Sequence, residues 1–454
     1  MSLLATMSNR MTTRRYRIIY ESYDHKQPTT TISRVEVLNG ELNEPSNCLD
    51  FSIGLDNQIA LIQGVQDIVL QEKIQLIHKL TKVTCPKCKI KMHKTGVNKS
   101  TFHDVFTDHN IVIQRFKCHN CGYETHSTVR TLLQGVISGD LKKIQATLGA
   151  THSFREGEKL FELFSGKDRQ INNHNRIKQV TESVGNAIED INADEKEMLI
   201  TEDAVELILN VDGGHIKTTE DQRSMEAMVA VVYKPESIKS NSQDTRNYII
   251  SKNCAASIKD DRQKQIISST IIAALKQGLS PKTHITALCD GAANCWNIAK
   301  ALEPLCAKIT YILDWFHLGM KFENISLPKR LKEDLMHIKW HLWRGDVEKA
   351  MIRFKEILAL TKEEQHHDRI KKLSQYVDNN KDKIVDYSTR KDQGLIFTSN
   401  LAESTVESLI NQRCKGQQHM RWSREGLNPI LQLRSIIHSN DWSSKWKTAV
   451  LNAA

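Results

Sequence analysis

The sequence has no long hydrophobic run, few residues that interrupt regular structure, and no recognisable export signal. Its apolar runs, such as residues 205–211 and 228–233, are much shorter than the ~20 residues that a membrane-spanning helix needs. Proline (8) and glycine (20) are scarce, which excludes collagen-like, mucin-like and low-complexity proteins. The first residues lack the basic region and apolar stretch of a secretory signal. We therefore expect a cytoplasmic protein with no membrane partner.

The charge balance favours a polyanionic partner. Lysine and arginine (63) outnumber aspartate and glutamate (54), which gives a formal net charge of +9. Nucleic acids and membrane surfaces attract such a protein alike. No basic amphipathic helix with an aromatic apolar face stands out, so nucleic acid is the preferred interpretation. A net charge of +9 spread over 454 residues is also compatible with an ordinary protein.

Four of the ten cysteines form two close pairs, Cys85-Pro-Lys-Cys88 and Cys118-His-Asn-Cys121. Two residues between cysteines allow one tight turn to present both thiolates to a zinc ion. The segments 101–106 and 110–116 alternate like strands and would bring the two turns together as a zinc ribbon. Four cysteine ligands leave no open position, so this zinc would be structural. Structural or redox-active cysteines are the alternative.

Helical patterns surround this ribbon. Residues 58–80 have apolar side chains at helical spacing and predict one long helix. Three short helices are predicted at 141–148, 153–164 and 172–188, with Ser153 and Asn172 as N-caps. A helix-turn-helix-like segment would place Asn173, Arg176 and Lys178 in the major groove of DNA. A plain helical connector explains the same pattern equally well.

The pattern then changes to buried strands. We predict strands at residues 205–211, 225–233, 247–251, 284–289 and 309–313, with helices at 259–277 and 292–302 between the later ones. Three strands, a helix, a strand, a helix and a strand is the order of an RNase H-like α/β fold. Residues 318–387 are helical throughout and predict a helical insertion, interrupted at Gly345.

Asp212 and Asp290 each follow a buried strand directly and precede a glycine. Ligands bind where the carboxyl ends of parallel strands open into a crevice. Two carboxylates there would repel each other unless cations such as two Mg²⁺ (or Mn²⁺) ions kept both ionised. A helix should supply a third carboxylate, for which we choose Glu407, with Glu403 as its rival on the same helical face. Taken singly, each aspartate is also compatible with a simple capping role.

These residues resemble the DDE transposases of bacterial insertion sequences, most closely the Kra-type family. The resemblance rests on Asp212-Gly213-Gly214, on residues 289–296, 312–317 and 406–408, and on residues 412–416 and 420–423. It implies that Asp212, Asp290 and Glu407 form the catalytic, metal-binding triad. Asp314 and His317 look like the signature that follows the fifth strand, and His317 would hydrogen-bond Asp314 to brace the site. Glu403-Ser404-Thr405 replaces the small Gly-Ser-Gly run expected before the Val-Glu-Ser motif.

The resemblance implies a nucleoid-associated bacterial enzyme that binds the terminal repeats of an insertion sequence. It would catalyse Mg²⁺-dependent cleavage and strand transfer on double-stranded DNA, as a homodimer or larger assembly. DNA contacts are expected from the basic C-terminal stretch, at Arg413, Lys415, Arg421 and Arg424. Trp422 would stack on a base, although core packing is the more common fate of a tryptophan. An RNase H-like nuclease without strand transfer and a catalytically inactive zinc-ribbon DNA-binding protein are the alternatives.

The expected domain organisation follows from these assignments. An N-terminal region of unclear role would precede a helix with a zinc ribbon, the helix-turn-helix-like segment, the RNase H-like core, the helical insertion, and a C-terminal catalytic helix with a basic tail. The corresponding residues are 1–55, 56–130, 138–195, 200–317, 318–390 and 395–454.

Overall fold

The chain folds into two compact units in a computed structural model. The structure describes residues 14–43, 45, 48–165, 169–195, 202–240, 247–415 and 420–453. The first unit comprises the chain up to Gln145 together with Phe154–Ile177. The second comprises Ala146–Ser153 and Lys178–Ala453. The fold is mixed α/β, and the five-stranded sheet that carries Asp212 and Asp290 belongs to the second unit.

The first unit combines a hairpin, a long helix and a small sheet. Strands β1 (Arg14–Asp24) and β2 (Gln27–Leu42) pair antiparallel, and the predicted long helix is α1 (Leu55–Leu80). An antiparallel sheet follows, made of β3 (His93–His103), β4 (Asp108–Lys117) and β5 (Glu124–His126). Leu70 and Ile74 of α1 pack on Phe102 and Ile111 of this sheet, which gives the amphipathic helix its buried face.

Four helices connect the small sheet to the second unit: α2 (Val129–Leu133), α3 (Gly139–Thr151), α4 (Phe154–Ser165) and α5 (His174–Glu195). The predicted helix-turn-helix-like segment, 138–195, contributes residues to both units. The N-cap of α5 is Asn173, whose Oδ1 accepts from the Arg176 N–H at 2.9 Å. The predicted cap, Asn172, is instead buried and donates to Ser165 Oγ at 2.9 Å. Asn172, which the sequence pattern assigned to the cap, is therefore used in a buried polar contact instead.

The second unit is built on a five-stranded mixed sheet. Its strands in chain order are β6 (Glu206–Lys217), β7 (Ser224–Tyr233), β10 (Asn253–Ser257), β11 (His284–Cys289) and β12 (Lys308–Leu313), and a two-stranded hairpin of β8 (Ile238–Ser240) and β9 (Asn247–Ile249) precedes β10. The order across the sheet is β10-β7-β6-β11-β12. β7 runs antiparallel to β6 and β10, whereas β11 runs parallel to β6 and β12.

One predicted strand is wrong. Residues 247–251 were expected to be the third strand of the main sheet, but β9 pairs only with β8, and β10 occupies that position. β10 has the sequence Asn-Cys-Ala-Ala-Ser and is completely buried. Small side chains have weak strand propensity, so packing between β7 and the helices decides this strand and local preference does not.

Helices surround the sheet and form the insertion. They are α6 (Lys264–Lys276), α7 (Ala293–Lys300), α8 (Trp315–Glu323), α9 (Lys329–Trp343), α10 (Val347–Leu360), α11 (Glu364–Asn379), α12 (Tyr387–Asp392), α13 (Asn400–Val406), α14 (Gln412–Cys414), α15 (Arg424–His438) and α16 (Trp442–Asn452). A π-helical turn, Glu407–Asn411, joins α13 to α14. The predicted break at Gly345, between α9 and α10, is present with a positive φ of 73°. Among the described residues, no helix has the length and apolar character needed to cross a membrane.

Candidate functional site

The four paired cysteines meet in the first unit. Their sulfur atoms all lie within 4.8 Å of one another, as a shared metal ion requires. Each pair sits in a tight turn of the same design: Lys89 N–H donates to Cys85 O at 2.9 Å, and Gly122 N–H donates to Cys118 O at 3.0 Å. Burial alone would raise the pKa of Cys85, but hydrogen bonds from neighbouring backbone N–H groups and thiols lower it to about 7. The donor set fits a structural zinc ion.

A row of aspartates lines the edge of the main sheet in the second unit. Val211, Cys289 and Leu313 are aligned with one another across β6, β11 and β12. The next residue in each case is an aspartate: Asp212 within β6, Asp290 directly after β11 and Asp314 directly after β12. Because these three strands are parallel, the register places the aspartates side by side at the carboxyl edge of β11 and β12. This is the position at which open α/β sheets bind ligands.

Asp314 is the fully buried member of the row and fixes two helices. Its carboxylate accepts from the N–H groups of Phe316 and His317 at the start of α8, at 3.3 and 3.1 Å. It also accepts from the N–H and hydroxyl of Ser399, at 2.7 Å each, where α13 begins. One carboxylate therefore sets the positions of both helices that project side chains towards Asp212.

His317 lies between Asp314 and Asp212. Its Nδ1 is 2.7 Å from Asp314 Oδ2, and its Nε2 is 3.8 Å from Asp212 Oδ1. Burial alone would lower the pKa of His317, but the hydrogen bond and charge of Asp314, with the charges of Asp212 and Glu403, raise it to about 9. The expected contact between His317 and Asp314 is thus present, and the second ring nitrogen, Nε2, points at Asp212.

The helical carboxylate beside Asp212 is Glu403. Asp212, His317 and Glu403 each offer an atom within 4.8 Å of the others. Burial and the charge of Asp212 raise the pKa of Glu403, and burial likewise raises the pKa of Asp212. Repelling, half-buried carboxylates of this kind fit a bound cation, which would keep both ionised.

Glu407, the predicted third carboxylate, has a different environment. Its side chain is exposed and accepts a hydrogen bond from Asn411. Residues four apart share a face only along a regular α-helix, and the chain changes to π-helical geometry at Glu407. The structure therefore brings Glu403 to Asp212 and leaves Glu407 facing outwards.

The π-helical turn is held by a buried arginine. Arg434 of α15 donates from Nε to Leu409 O at 2.6 Å, and its two terminal nitrogens donate to Ser408 O and Ala150 O. The turn also packs closely on β6, since a Cβ added to Gly214 would lie 3.0 Å from Ile410 Cδ1. Glycine at position 214 and arginine at position 434 together hold the π-helical turn, which directly follows the helix of Glu403, against the strand that carries Asp212.

Two tyrosines attach the helical insertion to the aspartate row. Tyr376 of α11 donates its hydroxyl to Asp290 O at 2.6 Å, and Tyr387 of α12 donates to Leu313 O at 2.7 Å. The Asp290 carboxylate accepts from the Ala292 N–H at 2.9 Å. Its charge is close enough to contribute to the raised pKa of Asp212. The insertion thus contacts the site directly.

Comparison with known proteins shows that the site lies within the region matched by a family model. The model of the uncharacterised protein family UPF0236 matches residues 144–447, about two thirds of the chain. The chain belongs to the UPF0236 family. The match contains the aspartate row, His317 and Glu403, whereas the paired cysteines precede it.

UPF0236 proteins of Caldanaerobacter subterraneus subsp. tengcongensis are similar over shorter segments. One is 32% identical over 149 residues, which is 32% of this chain and 29% of the relative. Another is 30% identical over 131 residues, 28% of this chain and 26% of the relative. The matches therefore span less than a third of these relatives' length. The name of the first joins eleven locus designations, and that of the second joins four.

Two of the predicted DNA contacts lie in the interior of this UPF0236 domain. Arg413 is buried, donates to Gly149 O at 3.0 Å and stacks over Trp422, 4.9 Å from the ring centre. Trp422 is also buried and donates to Cys414 O at 3.2 Å. Both residues bind internal groups, so this placement argues against the contact with DNA predicted for them.

The other predicted DNA contacts lie at the surface or partly inside. Arg424 is half-buried and donates to Ile258 O at 2.7 Å. Lys415, Arg421, Arg176 and Lys178 are exposed, whereas Asn173 is half-buried at the start of α5. The Lys415 ammonium lies 3.7 Å from the position of a Cβ on Gly214, and hence next to the strand of Asp212.

Sequence reasoning ranked Glu403 second and missed Tyr376 and Arg434. Nothing in the local pattern marks Tyr376, which occupies an ordinary position in a polar helix. Arg434 lies in a helix whose residues from Leu427 to Ile436 are all buried. It follows Leu427, Ile430 and Leu431 at helical spacing, and an arginine on such an apolar face is the signal that could have indicated a buried hydrogen-bonding role.

Proposed function

We propose that the protein is a DNA transposase that cleaves and joins phosphodiester bonds with divalent metal ions. Asp212, Asp290 and Glu403 would hold the ions. The proposal is carried by the convergence of these carboxylates, from two adjacent parallel strands and one helix, on a single edge of the sheet. The substrates would be the ends of the protein's own mobile element and a double-stranded target.

The arrangement of strands supports this proposal. An antiparallel trio, β10-β7-β6, is extended by two strands parallel to β6, and a helical insertion separates β12 from the helix of Glu403. This is the arrangement expected for an RNase H-like core in which Asp212 lies on the central strand. The family domain itself carries no assigned activity, so the function is argued from the site.

The chemistry that we propose is hydrolysis followed by transesterification. Two Mg²⁺ or Mn²⁺ ions bound at the carboxylates would activate the attacking water and stabilise the leaving oxygen. Hydrolysis at the element's end leaves a 3′-OH, which then attacks a phosphodiester of the target and displaces another 3′ oxygen. The protein orients the groups: Asp314 holds His317 against Asp212, and Arg434 holds the turn next to Glu403. No covalent bond between enzyme and DNA is needed.

The remaining parts have supporting roles in this proposal. The four cysteines would hold structural zinc in a ribbon that, with the exposed basic residues, contacts DNA phosphates. Bringing two element ends together would require at least two copies of the chain. The relatives' names also agree with a mobile gene, because one protein name assigned to eleven loci of one organism is the pattern that repeated insertion produces.

The test is a junction assay on a plasmid that carries the gene with its flanking DNA. We expect new DNA junctions at the element's ends with the wild type and none with Asp290→Asn. Junctions with both would remove Asp290 from the mechanism. Nicks at the ends without junctions would instead indicate a nuclease without strand transfer, and DNA binding with neither product would indicate an inactive binding protein.

A further inference from the structure

An open groove lies between α8 and α11, beside the candidate site. Its lining includes Lys321 and Asn324 from α8 and the segment after it, and Arg369, Lys372 and Tyr376 from α11. Three of these five side chains are basic. All of them belong to the second unit and come from the helical insertion or from the helix that carries His317.

Both walls of the groove begin at the site. On α8, Lys321 follows His317 by four residues, so the two side chains lie on the same helical face. On α11, Tyr376 bonds Asp290 O at 2.6 Å, and Lys372 and Arg369 continue the same face away from it. The Lys321 ammonium also lies 4.4 Å from the centre of the Tyr376 ring, which joins the two walls.

The basic groups are directed to solvent rather than to acids of the protein. Among the ion pairs of the described residues, none includes Lys321 or Lys372, and both side chains are exposed. Arg369 is held in place by the carbonyl of Ser326, to which its Nη1 donates at 2.5 Å. A groove with three cations and no acidic partner attracts an anion with several charges.

We infer that this groove binds consecutive phosphates of one DNA strand and guides that strand into the site. The inference rests on the proposed function and extends it to the path of the substrate. The face from Tyr376 to Arg369 covers about 10 Å at 1.5 Å per residue, which is longer than a single phosphate. Its inner end is fixed to Asp290, so a strand lying along it would present a phosphodiester to the carboxylates.

The experiment compares two double variants of equal charge. Lys321→Gln/Lys372→Gln removes the groove cations, and Lys355→Gln/Lys371→Gln removes two exposed lysines outside the groove. Affinity for a duplex with a single-stranded end is measured by fluorescence anisotropy over a salt series without divalent metal. We expect the groove variant to bind more weakly and its salt slope to fall by about two, while the control keeps the slope of the wild type.

Equal slopes for the groove and control variants, in proteins with unchanged melting temperatures, would overturn the inference. Inorganic phosphate could displace the DNA, and binding of free phosphate could be lost only in the groove variant. Together these results would mean that the groove binds a small anion, and they would also overturn the inference. If the groove variant has a smaller salt slope than the wild type, but the wild type never cleaves DNA, the groove binds DNA and the proposed transposase function is wrong. If the wild type cleaves DNA but the groove variant binds DNA as tightly as the wild type, the proposed function is supported and the role of the groove is wrong.

Discussion

The cysteines of the first unit are held by two short turns, whereas the carboxylates of the second unit come from two strands and a helix far apart in the chain. In each cysteine turn, a backbone hydrogen bond within five residues fixes the geometry of the thiols. In the carboxylate site, the distance between Asp212 and Glu403 depends on the sheet register, on Asp314 and on a buried arginine. The geometry of the cysteine site therefore depends on residues close in the chain, whereas that of the carboxylate site depends on contacts between distant segments.

The largest effect is expected from a substitution that breaks the cysteine site of the first unit. Cys85→Ser should abolish zinc binding, because a serine hydroxyl does not replace one of the four thiolate ligands. The effect on folding should be large, since a structural zinc contributes on the order of 10 kcal/mol to the folding of a small domain. Metal analysis should find one zinc per wild-type chain and none in the variant. Mn²⁺ binding by the carboxylates should persist in the variant. Zinc retained by Cys85→Ser would contradict the four-cysteine assignment.

The second prediction concerns which helical carboxylate, Glu403 or Glu407, belongs to the site that contains Asp212. Glu403→Gln should lower the rate of DNA cleavage by about a thousandfold, as loss of a group that stabilises the transition state does. Glu407→Gln is the matched control and should retain the rate within about tenfold. The reverse ranking would restore Glu407 as the third carboxylate and reject the placement of Glu403.

A smaller effect is expected from the residue that supports the π-helical turn. Arg434→Met removes donors from the buried carbonyls of Ser408, Leu409 and Ala150, and we expect a loss of roughly 3 kcal/mol in the free energy of unfolding. The exposed residue Arg421 provides the control, and Arg421→Met should change stability by less than about 0.5 kcal/mol. Denaturant unfolding measures both. Equal stabilities would show that the turn does not depend on Arg434.

The smallest effect concerns pH. The pKa of His317 rises to about 9 in the folded protein, from an ordinary value near 6.5. Its contribution to stability is therefore complete below pH ~6.5 and is lost as the pH rises through about 9. Without added divalent metal, wild type minus His317→Gln should show a stability difference of at most about 3 kcal/mol at low pH that shrinks towards pH 10. A difference independent of pH would mean that His317 is not protonated in the fold.

Patterns read from the chain predicted most elements of the fold correctly. The long helix α1, the strand β4 and the helical insertion all follow from periodicity and from turn residues. The strand predicted at 101–106 lies earlier in the chain, as β3, and β5 was not predicted. β10 was missed because its small residues have no strand signal of their own. The cap of α5 was displaced by one residue because Asn172 is used in a buried contact.

The chain by itself indicated the cysteine cluster, because two residues between cysteines are enough to shape each turn, and it singled out Asp212 and Asp290, because each comes directly after an apolar run. In the structure Asp290 does follow β11, whereas β6 continues past Asp212 to Lys217. Only the tertiary structure decided between Glu403 and Glu407. Their spacing is equivalent along an ideal helix, and the choice depends on a π-helical turn that Arg434 supports from another part of the chain. The same holds for Tyr376, which reaches Asp290 only because the insertion folds back onto the sheet.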